Sequence, residues 1–385
     1  MNDSPAMPMM SNLPNLLDRL QDDPYPVYRQ FRRAGPVMWA EAQQHWFVMG
    51  HGDAMAALRD PRLVGSAADA GACAAARRTL RRGLVQNTFT PAFVERFRPH
   101  AQEVVDTLLD KAAARAELEL VADLAVPLAL AMATDLLGLR PNEAHVVSAW
   151  VQDVSGTLAP PRGHRMLPSG GGPVLPTEEV RENLAAALAV PRQGPDDLLG
   201  LLLDADGPSG RPDPEELLDI CAELLVSAYL SAVDVIGNGV HTLLDHPMQA
   251  ERLRAEPGLI TTGVEELLRY APPIQWITRT VHEETELSGH TLGPGQTVVV
   301  LLGAANRDPE VFEAPDTLDL SREPNHHVSF GRGSRFCLGA PLARMEAQVA
   351  IGSLLARFPA LRPAGEPRRR TLPGSRGFSS LPLAL

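Results

Sequence analysis

At 385 residues, 44% of them apolar and 21% charged, the chain has ordinary globular composition, which excludes a mainly disordered or fibrous protein. Thirty-five Lys and Arg against 47 Asp and Glu leave a net charge of −12; such a surface repels phosphate backbones, so no nucleic-acid partner is expected. The three cysteines, Cys73, Cys221 and Cys337, are far apart and show no CxxC spacing, which speaks against a disulfide framework or a thiolate zinc cluster and fits a reducing cytoplasm.

The amino end lacks the basic-then-apolar layout of a secretory signal, and Leu124–Thr134, the longest apolar stretch of the first half, is too short to cross a bilayer, so no membrane insertion is expected. Apolar residues recurring at three and four predict helices over Phe93–Ala114, Glu178–Ala189, Glu215–Leu244 and Ala340–Phe358. Period-two alternation is confined to Pro36–Gly50 and Trp276–Val300, the latter punctuated by Gly289 and Gly293-Pro294-Gly295. A mainly α protein with small β-sheets follows, read as one domain over 1–385. Leu158–Pro176, crowded with Pro and Gly, breaks the pattern as a mobile surface connection, either an access loop or a tolerated insertion.

The helix after Asp213 has a well-specified start: Asp213 as N-cap, Pro214 at the first helical position, and Glu215 and Glu216 against the positive helix end. Its middle, Leu224–Val233, carries no charge on any face, which marks a helix buried all round that crosses the centre of the molecule.

Chemistry concentrates at Phe330-Gly331-Arg332-Gly333-Ser334-Arg335-Phe336-Cys337-Leu338-Gly339-Ala340, directly before the last long helical pattern. The glycines permit a tight loop, and a thiol at the head of a helix beside Arg332 and Arg335 is biased toward thiolate, a soft metal ligand. An inert cysteine in a glycine-rich turn is the plain alternative. A phosphate cradle fails on residue types: Lys111 is the single lysine, and Phe336 stands where a dinucleotide fingerprint needs Gly.

This loop resembles the thiolate loop of the cytochrome P450 family, Phe-Gly-x-Gly-x-His/Arg-x-Cys-x-Gly, with every fixed position filled. The resemblance is to the soluble bacterial class that tailors natural products. It implies a cytochrome P450 fold, haem b with Cys337 as its axial ligand, and a cofactor bed that includes Phe330, Gly331, Gly339 and Ala228. Glu266-Leu267-Leu268-Arg269 is similar to the family's Glu-x-x-Arg pair, with Arg322 completing a buried structural triad. Arg78 and Arg82, Arg279 and Arg335 fall where the family places donors to the haem propionates. Arg77, Arg78, Arg81 and Arg82 also make a basic patch suited to an acidic ferredoxin, which a ferredoxin reductase would serve, since the chain has no flavin or iron–sulfur motif of its own.

The chain departs from the family pattern on the central helix. Where the family usually has Ala-Gly-x-Asp/Glu-Thr, this chain reads Ser227-Ala228-Tyr229-Leu230-Ser231. Oxygen activation requires a proton at the distal oxygen, and Leu230 cannot donate one. Ser231 keeps a hydroxyl, and Asp234, three residues on and on nearly the same helix face, either feeds it protons or serves as a structural hydrogen-bonding residue. The implied activity is hydroxylation or oxidative coupling of a polyketide- or peptide-type molecule, free or carrier-bound, in secondary metabolism. A peroxide-driven enzyme and a non-catalytic haem-binding protein are the alternatives that the missing acid leaves open.

Overall fold

The computed structural model describes residues 23–41, 43–65, 89–138, 214–370 and 374–385, with isolated positions between them; of the side chains in 214–230, only those of Leu217, Cys221 and Tyr229 are described. Helix α1 (Tyr25–Arg32) leads into the antiparallel hairpin β1 (Val37–Ala40) and β2 (His45–Val48), followed by α2 (His51–Arg59) and β3 (Leu63–Val64). The expected helix over 93–114 is two helices, α3 (Pro91–Glu95) and α4 (Arg98–Ala113). The break falls where Pro99 occupies the first turn of α4, because a ring without an N–H starts a helix more readily than it continues one. Strand β4 (Glu117–Glu119) and a π-helical turn at Leu120–Ala125 precede α5 (Val126–Leu136).

The central helix α6 runs from Pro214 to Asp245, within one residue of its sequence-based bounds at either end. Every residue from Ala232 to Val240 is buried, Asp234 included, so the helix is enclosed on all sides there. Then come α7 (Pro247–Ala255) and α8 (Ile260–Tyr270), the strands β5 (Ile277–Val281), β6 (Thr285–Leu287), β7 (His290–Leu292) and β8 (Thr297–Val300), and the short α9 (Leu302–Ala305). The last long helix, α10 (Ala340–Arg357), packs against α6 and α4, and short strands β9 (Arg362–Pro363), β10 (Arg368–Arg369), β11 (Phe378–Ser380) and β12 (Pro382–Ala384) close the chain.

The main sheet has the order β1-β2-β8-β5-β3, antiparallel except for the parallel pair β2 and β8. Its two faces follow the period of a strand. Trp46, Val48, Val298 and Val300 join a cluster with Ala54, Ala57 and Leu58 of α2, whereas Phe47, Met49, Val299 and Leu301 join Tyr28 and Phe31 of α1. A larger cluster unites α4, α5, α6, α8 and α10. Strands β4, β12 and β9 form a second sheet beside it, while β10 pairs with β11 and β6 with β7. Among the described residues no helix is long and apolar enough to cross a membrane.

Candidate functional site

The loop before α10 is built by its glycines. Gly331 and Gly333 have φ of +68° and +73°, in the left-handed region that favours glycine. At Gly333 a Cβ would also lie 2.9 Å from the Leu58 carbonyl oxygen, so the loop's approach to α2 leaves no room for a side chain. Hydrogen bonds from Gly331 N to Val328 O (2.8 Å), Phe336 N to Gly333 O (3.1 Å) and Cys337 N to Phe330 O (2.9 Å) coil the segment so that Cys337 stands two residues before the N-cap of α10. Its thiol is half-buried, and the rings of Phe330 and Phe336 meet edge to face with centroids 6.2 Å apart.

The loop is anchored to α8. Arg344 of α10 forks onto Glu265 at 2.6 and 2.8 Å and lies 4.5 Å over the Phe330 ring, and His327 Nε2 is 3.1 Å from the same carboxylate. Burial pushes the Glu265 carboxyl up, but hydrogen bonds from His327 and Arg344 overcome it and hold the group at about 2. Asn306 spans the same gap: its amide donates to Ser329 Oγ at 2.7 Å and its carbonyl accepts from Val328 N at 2.8 Å, while Ser329 Oγ donates to Leu268 O.

Glu266, Arg269 and Arg322 do come together. Glu266 and Arg269 are wholly buried, at 0% exposure, and such a pair persists only if its remaining hydrogen-bonding capacity is used. Here it is. Arg269 spends two donors on Glu266 (2.7 and 2.8 Å) and the other three on the carbonyls of Asn306, Pro315 and Thr317. Glu266 also accepts from Arg322 Nε, Asp319 N and Asn325 Nδ2.

On α6, Tyr229 is buried and Ser231 half-buried; the side chains of Ser227, Ala228 and Leu230 lie outside the described residues. Both Asp234 oxygens are taken by the C-terminal segment, one by Arg370 and the other by Ser375 Oγ at 3.2 Å. This arrangement supports the structural hydrogen-bonding role for Asp234. Burial raises its proton affinity to about 7 despite the opposing pull of Arg370 and Ser375. At Gly377, any side chain would overlap that carboxylate. Arg279, in β5, is buried and donates to the Thr278 carbonyl at 2.9 Å, and Arg335 ends a short 3₁₀ turn at the surface. Arg78, Arg82, the basic patch around them and the expected connection at 158–176 lie outside the described residues.

Sequence reasoning missed Arg344, Glu265, His327 and Arg370, whose partners come from distant elements. It also missed Glu346, a fully buried carboxyl in α10 whose Oε2 has no hydrogen-bond partner among the described residues, pushed up to about 8 by desolvation.

The cytochrome P450 family pattern matches residues 177–383. The biotin biosynthesis cytochrome P450 of Bacillus subtilis (strain 168) is 32% identical over 384 residues, covering 94% of this chain and 96% of that protein. The cytochrome P450 monooxygenase PikC of Streptomyces venezuelae is 33% identical over 402 residues, covering 98% and 95%. Among solved structures, P450BioI in complex with an acyl carrier protein ligated to hexadec-9Z-enoic acid superposes with a TM-score of 0.80 at 30% identity, over 95% of this chain and all of that one. The bacillaene polyketide synthase cytochrome P450 PksS of Bacillus subtilis 168 gives 0.81 at 28% identity, over 95% and 98%.

Proposed function

Because the chain belongs to the cytochrome P450 family, and so has that fold, works as a monooxygenase and uses haem b, we propose that Cys337 holds the haem iron and that the enzyme hydroxylates or oxidatively couples a polyketide- or peptide-type molecule in bacterial secondary metabolism. The observation that carries this reading is the Cys337 loop: a half-buried thiol, pinned by its own backbone to Phe330 and set at the start of an 18-residue helix. The positive end of that helix favours the sulfur anion, and a thiolate at this position would supply the electron donation to iron that favours O–O cleavage. When bound, haem b supplies the reductive activation of dioxygen.

The rest is the work of this chain's own residues. Arg279 and Arg335, with Arg78 and Arg82, would neutralise the two haem propionates, a task suited to the forked guanidinium. Phe330, packed under Arg344, would give the loop an apolar surface toward the haem, and Gly331, Gly339 and Ala228 are the small residues that would leave it room. Ser231 Oγ passes the proton that Leu230 cannot hold. Asp234 positions the C-terminal segment against α6 and, at about 7, exchanges its proton near neutral pH.

The substrate class rests on relatives whose names point to polyketide work, among them PksS and the 6-deoxyerythronolide B hydroxylase of Saccharopolyspora erythraea. The acyl carrier protein in the P450BioI complex supports a carrier-bound substrate as one form. Electrons would come from a ferredoxin docked on the Arg77 to Arg82 patch, with an electron-transfer rate that falls as salt rises.

The deciding experiment is the ferrous carbonyl spectrum of the purified holoprotein. A strongly red-shifted thiolate-type band that disappears in Cys337→His, with haem retained, is expected; a globin-type band in the native protein would overturn the assignment. Ligand-induced spin-state changes then screen polyketide and peptide candidates. Turnover with hydrogen peroxide but none with ferredoxin would make the enzyme peroxide-driven.

A further inference from the structure

The C-terminal segment crosses α6 as a short strap, 374–378, fixed at both ends. Gly374 turns the chain with a φ of +76°, and a Cβ there would sit 3.2 Å from the Trp276 ring. At the far end the buried Phe378 ring stacks on His241 of α6, centroids 4.8 Å apart, and meets the Arg369 guanidinium at 4.4 Å. Between these points Gln275 N donates to Gly374 O and Arg376 N to Pro273 O, each at 2.7 Å; Arg370 N donates to Gly377 O at 3.0 Å, and Asn238 Nδ2 to Arg376 O at 2.7 Å. The remaining tie to α6 is Asp234, which accepts from Ser375 Oγ and Arg370.

The seat at Asp234 is sealed more completely than it is satisfied. The residue is 2% exposed, and at Gly377 even a Cβ would overlap its carboxyl. An ionised carboxylate offers about four acceptor positions, and the described residues supply two donors, one guanidinium and one hydroxyl. Such an anion, kept from water and short of partners, carries a desolvation cost that the neutral acid does not. Lifting the strap returns water to the carboxyl and removes that cost. The closed strap therefore favours the neutral acid and the open strap the anion.

The charges around the group do not reverse this preference. Arg370 faces Asp234 from β10, and Tyr229, one turn back on α6, feels both of them. Arg369 is turned to the Phe378 ring, Arg376 to the Tyr25 ring, and His241, two turns on, lies beside Asp245 at 3.1 Å. Burial raises Asp234 from 3.8 to about 7 while Arg370 and Ser375 pull the other way.

We propose that Asp234 is a proton-dependent latch: the neutral acid keeps 374–377 closed on α6, and loss of the proton releases the strap one turn past Ser231. The proton holds the strap, and the Arg370 contact only moderates it. With the closed-state value raised, closure is fully favoured below the open-state value and is lost as pH climbs to the closed one. The inference does not rest on what Cys337 binds.

Hydrogen exchange of the holoenzyme at the amides of Gln275, Arg370 and Arg376, whose bonds break when the strap lifts, tests it, each rate being divided by that amide's intrinsic rate at the same pH. With Asp234 at 3.8 when open and about 7 when closed, opening should rise roughly fiftyfold between about pH 5 and about pH 7 and then level off. Asp234→Asn should be flat over that range. Arg370→Gln removes the charge beside the carboxyl and Ser375→Ala removes the hydroxyl donor, so each should carry the levelling point to higher pH. Arg362→Gln, on the exposed strand β9, should follow the wild type. A flat wild-type profile, a rise that survives in Asp234→Asn, or a levelling point unmoved in both donor variants overturns the latch. Opening that grows as pH falls also overturns it, because the ion pair would then be what holds the strap.

Discussion

Glu346 offers a measurement that isolates one buried carboxyl. It sits in α10 among Leu342, Met345, Val349 and Ala350, all buried, and desolvation alone raises it from 4.5 to about 8. An acid whose folded value is raised keeps its full stability below the unfolded value and loses it as pH climbs toward the folded one. With 1.36 kcal/mol per unit, the ionised unfolded state gains on the folded state by roughly 1 kcal/mol at about pH 5 and by roughly 3 kcal/mol at about pH 7. Glu346→Gln keeps the shape and removes the titration. Urea midpoints followed by circular dichroism, converted with matched m-values, should therefore show the variant gaining on the wild type by about 2–2.5 kcal/mol between those two pH values. Every other titrating group is common to both proteins and cancels in the difference. A stability difference that stays constant across that range would show that Glu346 is already ionised in the folded protein, and the account of its burial would be wrong.

Glu266→Ala leaves Arg269 buried without its charge partner; a loss of about 3–5 kcal/mol is expected, read as failure to retain haem together with a lower unfolding midpoint. Gly333→Ala meets both a left-handed backbone and the Leu58 carbonyl, so it should destabilise by at least about 1–2 kcal/mol, whereas Gly258→Ala, where a Cβ meets nothing within 4 Å, should stay near neutral in the same assay. Ser231→Ala should lower the fraction of consumed reductant that appears in product while leaving the substrate spin-state response intact; unchanged coupling would remove Ser231 from proton delivery. Asp234→Asn should abolish the part of the stability decline that the raised carboxyl contributes between pH 3.8 and about 7; unfolding midpoints of variant and wild type across that range check it, and parallel declines would refute it.

What the sequence made legible was local. The α6 bounds follow from Pro214 and the uncharged run behind it, the sheet from the alternation of Val298, Val299 and Val300 between two clusters, and the Cys337 loop from glycines whose positive φ no other residue type adopts as readily. What stayed hidden was long-range or masked by residue type. Helical geometry put Asp234 near Ser231 because a single helix shows only its own neighbours, while the actual partners, Arg370 and Ser375, arrive from 136 and 141 residues away. Glu346 reads as a solvated carboxylate until the apolar residues on every side of α10 are placed against α4 and α6.

The hidden contacts explain how the visible motif can work. Glycines make the Cys337 loop possible but also make it soft, since each adds backbone freedom that must be lost on folding. Rigidity comes from outside the motif: Glu265 holds Arg344 and His327, Arg344 covers Phe330, and Asn306 and Ser329 tie the incoming strand of chain to α8. Glu266 and Arg269, on the same helix, fasten α8 in turn to 306–322 through six of their hydrogen bonds. The thiol is therefore held by α8 as well as by the backbone of its own loop. Loosening Glu265 should consequently shift the carbonyl band and weaken haem retention without touching any residue of the loop itself.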